Sequence, residues 1–252
     1  MPSTFSSSLA TRFNGSTQGA YVDNPSFKND TTGSFSMWIR QYSPLTSAGA
    51  RTILSLGESG GSYFWMMGQR WSSSGTLATP NQPIFETYTS VPAPNNQASY
   101  PPTYIIPATT RLHVVCQSAG LGNFQDWYIN GVLYTAGFWF DQSGTQAAKG
   151  AWMNWATVHG ANRFSVAYRT AGAPNYNDLQ MDELSYVNRV RTPAEVAAEY
   201  NAGAGRNPLA IGYGSALKNW WRMGEGDIAG TIYDRIGADH LTTIAAPTYE
   251  AP

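Results

Sequence analysis

The fold class is decided by residues 179–203, which read Leu-Gln-Met-Asp-Glu-Leu-Ser-Tyr-Val-Asn-Arg-Val-Arg-Thr-Pro-Ala-Glu-Val-Ala-Ala-Glu-Tyr-Asn-Ala-Gly. The alternating part, Leu179–Asn188, is typical of a strand. A helix follows, since Thr192 can serve as its N-cap, Pro193 suits the first helical position and Glu195 completes a capping box. We therefore expect one long strand followed directly by one short helix.

This helix is predicted for about residues 193–202. Val196, Ala197 and Tyr200 supply its buried stripe, and Gly203 lies where a left-handed C-terminal cap belongs. No other segment predicts a helix as clearly, so helix makes up little of the expected fold.

Elsewhere the hydrophobic period is mostly two, and turn-forming residues recur often. Asn130-Gly131 is a strong hairpin signal, because both residues accept a positive φ angle. The other predicted strands are 9–14, 20–23, 34–41, 51–56, 63–69, 84–89, 111–117, 125–130, 132–136 and 163–168. Many strands with one short helix predict an all-β fold, a two-sheet antiparallel jelly-roll sandwich.

Composition excludes several classes of protein. Charged residues make up 12% of the 252 residues and the formal net charge is -1, while 9 Trp and 15 Tyr supply large side chains for a core. This balance excludes a disordered chain and a polybasic nucleic-acid binder. The sequence contains no run of 18 apolar residues, the length that would indicate a membrane span. We therefore expect neither nucleic acid nor membrane as a partner. The single Cys116 excludes an intramolecular disulfide.

Two segments, residues 70–110 and 137–161, are longer than ordinary connections in a sandwich. Each is rich in aromatic residues, which either fill a small core beneath the loop or form a contact surface. We expect Trp139 and Trp155 to be the main contacts, because Trp is enriched at the energetic centres of interfaces. The full set of candidate binding residues is Tyr100, Tyr104, Phe138, Trp139, Trp152 and Trp155.

Several motifs resemble those of one known family. They are Phe13-Asn14-Gly15, Ser34-Phe35-Ser36-Met37-Trp38-Ile39-Arg40, Arg111-Leu112-His113-Val114-Val115, Asp126-Trp127-Tyr128-Ile129-Asn130-Gly131 and Met181-Asp182-Glu183-Leu184-Ser185-Tyr186. In this order they resemble the laminin-G-like, concanavalin A-like jelly-roll family over about residues 5–203. The resemblance implies a jelly-roll domain at 1–203, interrupted by the two long segments.

Residues 204–252 lie outside that domain pattern. The stretch Lys218–Asp227, with Thr231–Asp234 after it, resembles an extension that follows such jelly rolls in virion proteins of tailed phages. We expect this extension to pack on the same domain, with Trp220 and Trp221 as its anchors.

The family resemblance also raises the question of catalysis, because glucanases of this superfamily use two carboxylates on one strand face. Here Asp182 and Glu183 are adjacent, so a regular strand would point their side chains to opposite faces. We therefore expect both to be structural, and we predict no catalytic residue and no enzyme. The histidines are scattered, at His113, His159 and His240.

Calcium is the cofactor that the resemblance implies, since laminin-G-like domains often hold one through loop oxygens. Four residues supply oxygens of the right type, namely Asp141, Asn175, Asn177 and Asp178. Their spacing does not resemble a dedicated calcium loop, and Asx residues commonly form turns. We therefore predict no cofactor and no metal site, with calcium as the alternative.

Three functional classes follow from these observations. The favoured one is a non-enzymatic structural protein of a virus particle, a capsid or tail decoration that binds the major capsid or tail protein as a homo-oligomer. No secretory signal is visible, so we expect the chain to be made in a host cytoplasm and located in the virion. The alternative is a carbohydrate-binding adhesin or receptor-binding module that takes a glycan. A glycoside hydrolase is the least favoured class.

Overall fold

The computed structural model describes residues 7–43, 49–58, 64–71, 81–88, 97–100, 104–120, 125–135, 138–140, 152–169, 175–228 and 230–252. Numbered along the chain, the strands are β1 (Ala10–Asn14), β2 (Gly19–Asp23), β3 (Gly33–Gln41), β4 (Gly49–Gly57), β5 (Phe64–Trp71), β6 (Gln82–Tyr88), β7 (Gln97–Tyr100), β8 (Arg111–Ser118), β9 (Asp126–Ile129), β10 (Val132–Thr135), β11 (Phe138–Phe140), β12 (Arg163–Val166), β13 (Tyr168–Arg169), β14 (Asn175–Tyr176), β15 (Asp178–Val187), β16 (Leu217–Trp221), β17 (Thr231–Ile232), β18 (Leu241–Ile244) and β19 (Thr248–Glu250).

These strands form two large antiparallel sheets. The eight-stranded sheet has the order β10-β9-β8-β3-β15-β1-β19, and β16 pairs with β15 beside this path. The nine-stranded sheet has the order β11-β7-β6-β5-β4-β12-β2-β18-β17, while β13 and β14 form a separate hairpin. This architecture confirms the predicted two-sheet jelly-roll sandwich.

One continuous core lies between the sheets. Strand β3 shows how the sequence builds it, because every second residue, Phe35, Met37 and Ile39, is buried in this core. Aromatic rings fill much of the space, and the rings of Phe35 and Phe164 stack with centroids 5.5 Å apart. The burial predicted from the strand patterns is confirmed for three large side chains, Trp38, Trp127 and Tyr186.

Helix α2 (Pro193–Tyr200) confirms the predicted capping box, since Thr192 and Glu195 exchange side-chain to backbone hydrogen bonds. The predicted stripe is partly wrong. Val196 is buried, but Ala197 is exposed and the carboxylate of Glu199 is buried. The reason is that Glu199 faces Arg191, in the loop between β15 and α2, which compensates its charge.

Helix α1 (Met153–Val158) is a second short helix that the sequence patterns did not indicate. Trp152 occupies the N-cap position of α1, and its side chain makes no capping hydrogen bond. The capping signal that predicts α2 is therefore missing from α1. No helix in the described part of the chain is both long enough and apolar enough to cross a bilayer.

The two long segments contribute to the core itself. Trp152, Met153 and Ala156 from one segment, and Phe85 and Ile106 from the other, all belong to the main core cluster. These aromatic and aliphatic side chains therefore fill space between the sheets and do not form a separate small core beneath a loop.

Residues 217–250 add strands to both sheets. Strand β16 pairs with β15, β18 pairs with β2 and β19 pairs with β1. Trp220 and Trp221 lie on β16 and are buried, as expected for anchors, and the indole of Trp221 donates to the backbone oxygen of Asp239 over 2.7 Å.

Candidate functional site

Both sheets end on the same side of the sandwich, and several aromatic residues lie on or beside the strands there. Strand β10 is the edge of the eight-stranded sheet, and β11, the edge of the nine-stranded sheet, begins three residues after it. Tyr134 and Phe138 are therefore at most about 14 Å apart along the chain. We name this side the aromatic edge and define it by Tyr100, Tyr104, Tyr134, Phe138 and Trp139.

The pairing of β7 with β11 brings the two long segments together at this edge. Phe138 lies opposite Tyr100, and Trp139 lies opposite Ser99. Ser99 in turn lies opposite Phe85 of the core, so Trp139 occupies the same cross-strand row as Phe85. Phe138 and Tyr100 form the neighbouring row. The backbone thus places residues from segments about 40 positions apart side by side.

The ring pair of Tyr104 and Tyr134 continues the aromatic edge. The two rings meet edge to face with centroids 5.0 Å apart, and both side chains are half-buried. Burial, with a smaller contribution from Tyr134, raises the pKa of Tyr104 to about 12. The phenol of Tyr104 is therefore a neutral hydrogen-bonding group at ordinary pH. Apolar side chains flank the pair, since Ile105, Val132 and Leu133 are exposed.

The structure separates one of the six predicted binding residues from the others. Trp152 is fully buried, its ring packs against Trp65 at 5.5 Å, and its indole N–H donates to the hydroxyl of Tyr186 over 3.3 Å. Its prediction as a surface contact is wrong, because the ring fills the core. Trp155 lies on α1. The side chains of four predicted residues lie outside the described part, those of Tyr100, Phe138, Trp139 and Trp155.

The acid pair, Asp182 and Glu183, lies on the outer face of the eight-stranded sheet. The register of β15 against β3 shifts between Asp182 and Ser185, and Glu183 has a φ angle of 52°. The flanking residues Met181 and Leu184 both lie in the core. The prediction that the two acids point to opposite faces is therefore wrong, because a β-bulge places both on the outer side.

Both acids are buried and held by specific partners. Asp182 accepts a hydrogen bond from Arg111 over 2.9 Å, and Glu183 accepts one from the indole of Trp220 over 2.6 Å and one from Arg222 over 3.3 Å. Burial is the main cause that raises the pKa of Asp182 to about 6 and that of Glu183 to about 8. The negative charge of Asp182 contributes to the higher value.

The acid pair coincides with a junction between strands. On one side of β15, β1 pairs with the residues up to Met181 and β16 pairs with those from Leu184 onward. The bulge lies between these two pairings, and Glu183 binds Trp220 of β16 across it. This position explains the acids as parts of the sheet, which is the structural role expected from the sequence.

Glu183 should make stability depend on pH. Its pKa is raised from 4.5 to about 8, so the folded state binds more protons than the unfolded state between these values and stability falls as pH rises. The pKa of His113 is lowered by burial, so this residue makes stability rise with pH, but only below pH 6.5. From pH 6.5 to 8 we expect the wild type to lose up to about 1.4 kcal/mol per pH unit, and Glu183→Gln to lose almost none.

Urea unfolding at a series of pH values measures this slope. Glu250→Gln, an exposed acid on β19, is the matched control and should keep the wild-type slope. An unchanged slope in Glu183→Gln would show that another group causes the dependence.

A small polar cavity lies beside the acid pair, under α2. Its lining includes Ser36, Trp38, His113, Glu183 and Glu199, and its volume is about 10 Å³. That is room for one water molecule and not for a sugar ring. The Oγ of Ser36 lies 2.9 Å from Nε2 of His113, and Glu199 approaches the same nitrogen at 3.8 Å. Since both approach one ring atom, the imidazole cannot relay a proton between them as in a catalytic triad.

Three of the four residues considered for calcium lie close together at the start of β15, but they are engaged with protein groups. Asp178 is paired with Arg12, and Oδ1 of Asn177 accepts a hydrogen bond from Gln41 over 2.6 Å. Asn175 donates to a backbone carbonyl, and Asp141 lies outside the described residues. Within the described ranges, no group of three or more His, Cys, Asp or Glu side chains could hold a metal ion.

Comparison with known proteins places this geometry in a wider context. No family model matches the sequence and no curated protein matches it. Among solved structures, a candidate carbohydrate-binding protein from Bacteroides ovatus aligns with 98% of this chain at a TM-score of 0.59 and 18% identity. The alignment covers 60% of that protein, so this chain spans less than two thirds of its length.

Two further solved structures are more distant. Domain 4 of the extracellular arabinanase AbnA from Geobacillus stearothermophilus, in complex with arabinotriose, aligns with 75% of this chain and 74% of its own at 18% identity and a TM-score of 0.48. A heptameric pentraxin from Limulus polyphemus aligns with 95% of each chain at 11% identity and the same TM-score. At 18% identity, the likeness to the Bacteroides ovatus protein concerns the fold alone, and it agrees with the sheet order of this chain, which is that of a two-sheet jelly-roll sandwich.

Proposed function

We propose that this chain is a non-catalytic carbohydrate-binding protein that takes a glycan at the aromatic edge. The observation that carries the proposal is the pairing of β7 with β11, which places Phe138 opposite Tyr100. Aromatic side chains offer apolar faces for the CH groups of a sugar ring and, in tyrosine, a hydroxyl for its polar groups. The likeness to a candidate carbohydrate-binding protein over 98% of the chain supports the proposal.

The environment of the acid pair supports a non-catalytic role. Glycosidases place two carboxyl groups on either side of a glycosidic bond. Here Glu183 is buried beneath Trp220 and Arg222, and the neighbouring cavity holds no more than one water molecule. A sugar cannot reach this pair without unpacking β16.

A glycan array, followed by calorimetric titration of the strongest ligand, tests the proposal. We expect the double variant Tyr100→Ala/Phe138→Ala to lose at least about tenfold in affinity, because both rings of one cross-strand pair are removed. Trp139→Ala/Trp155→Ala tests the two residues that the sequence analysis favours.

The matched control is Tyr249→Ala on β19, a half-buried tyrosine at the opposite edge of the eight-stranded sheet. It should retain wild-type affinity. The aromatic edge is not a glycan site if no glycan on the array binds, or if Tyr249→Ala loses as much affinity as Tyr100→Ala/Phe138→Ala.

A second candidate is the structural protein of a virus particle, docked through the same edge on a capsid or tail protein. The exposed apolar side chains of Ile105, Val132 and Leu133 favour it, because exposed apolar surface is common at protein contacts. Strand β10 also lies at the edge of its sheet, where strands can pair with another chain. Leu133→Lys would then reduce attachment to the particle without changing glycan binding.

A further inference from the structure

The sequence around the aromatic edge is poor in charge between Arg70 and Lys149. Residues 71–148 contain four charged side chains, where the chain's average of 12% would give about nine. The four are Glu86, Arg111, Asp126 and Asp141, and this stretch has no lysine. It includes β7, β10 and β11 together with Tyr104.

Arg111, the single cation of this stretch, is already committed elsewhere. It lies on β8, two strands inside the edge strand β10. Its guanidinium carbon stands 4.2 Å from the ring centroid of Trp38, and Nη2 donates to Asp182 over 2.9 Å. Both partners belong to the outer face of the eight-stranded sheet, so this cation is not aimed at the aromatic edge.

The two acids of this stretch that the structure describes are also unavailable to a ligand at the edge. Glu86 is buried on β6 with 3% of its surface exposed. Asp126, the first residue of β9, accepts a hydrogen bond from the side chain of Gln117, and burial raises its pKa. Neither carboxylate presents a free negative charge to a ligand at the edge.

We infer that the glycan bound at the aromatic edge is electrically neutral, an inference that rests on the proposed function. An acidic sugar would lose part of the hydration of its charge on stacking against the rings, and the described side chains of the edge include no cation to compensate that loss. A neutral pentose or hexose needs only ring faces and neutral hydrogen-bonding groups, and the phenol of Tyr104, whose ring packs against Tyr134, is of this type.

The test uses an array that prints neutral oligosaccharides beside acidic ones that carry uronic acid, sialic acid or sulfate. We expect binding to neutral glycans and at least tenfold weaker binding to the acidic ones. We also expect less than a twofold change in affinity between 50 and 500 mM NaCl, because a neutral ligand makes no ion pair for salt to screen.

The engineered variant Val132→Lys adds the missing cation at an exposed position of the edge. It should strengthen binding of acidic glycans severalfold and leave neutral ones unchanged, and Thr242→Lys, exposed on the distant strand β18, should do neither. Preference of the wild type for acidic glycans would overturn this inference while leaving the proposed function in place. Binding to no glycan of either class would overturn both.

Discussion

Replacing Arg191 with methionine is expected to lower the free energy of unfolding by about 3–5 kcal/mol. Arg191 is 1% exposed, and its guanidinium donates to the backbone oxygen of Ser34 over 2.7 Å and to the hydroxyl of Ser185 over 2.8 Å. Its Nε lies 3.2 Å from the carboxylate of Glu199. The variant leaves that buried carboxylate without a compensating charge.

Urea unfolding of two further variants tests this explanation. Arg189→Met is the matched control, since Arg189 is largely at the surface. It pairs with Glu195, which lies on the same helix, α2, as Glu199. It should cost about 1 kcal/mol or less. The double variant Arg191→Met/Glu199→Gln should recover part of the loss, because no charge remains buried. Equal losses in both single arginine variants would show that burial of the ion pair is not the cause.

Trp152→Ala is expected to destabilise the protein by about 3–5 kcal/mol, the range for removal of a large aromatic side chain from a core. Trp152 is fully buried, stacks on Phe85 with centroids 6.1 Å apart and donates to the hydroxyl of Tyr186. Its removal leaves a cavity between the two sheets and an unfilled space beside Phe35, whose ring lies 6.0 Å away.

Trp152→Phe is the conservative control and should recover much of the loss, because it refills most of the cavity. Thermal unfolding and glycan titration of the same variants separate the two roles considered for this residue. A stable Trp152→Ala variant that has lost glycan or partner binding would restore the contact role predicted from the sequence.

Regular elements could be predicted from the sequence because local rules and tertiary packing agree there. The capping box at Thr192 and Glu195 and the hairpin at Asn130-Gly131 depend on neighbouring residues alone, and both are present. The alternation in β3 likewise predicts which of its side chains enter the core.

The acid pair could not be placed correctly because its face depends on a bulge. Period-two alternation holds for a regular strand, but the φ angle of 52° at Glu183 breaks it. Nothing local to Asp182 and Glu183 indicates that two different strands, β1 and β16, meet beside them. That information lies in the distant sequence.

Trp152 was placed on the wrong side for a similar reason. The segment 137–161 has neither a strand period nor a clear cap, so its aromatic residues predict a loop surface as well as a core. Only the contacts with Trp65 and Phe85 from other strands decide between the two. For the aromatic edge, composition indicated Tyr100, Tyr104, Phe138 and Trp139 but not Tyr134, which lies in a predicted strand. The register of β7 with β11 and the ring contact of Tyr104 with Tyr134 supplied their arrangement.

The junction on β15 has a consequence for how the chain is made. Thr11 pairs with Met181, and Trp221 pairs with Leu184. The eight-stranded sheet therefore joins segments that are far apart in the sequence and are synthesised at different times. Folding slows as contacts become more distant in sequence. On the ribosome this sheet stays incomplete until β16 and then β19, which pairs with β1, have left the exit tunnel. During that interval the apolar rows of β3 and β8 are open to association with other nascent chains.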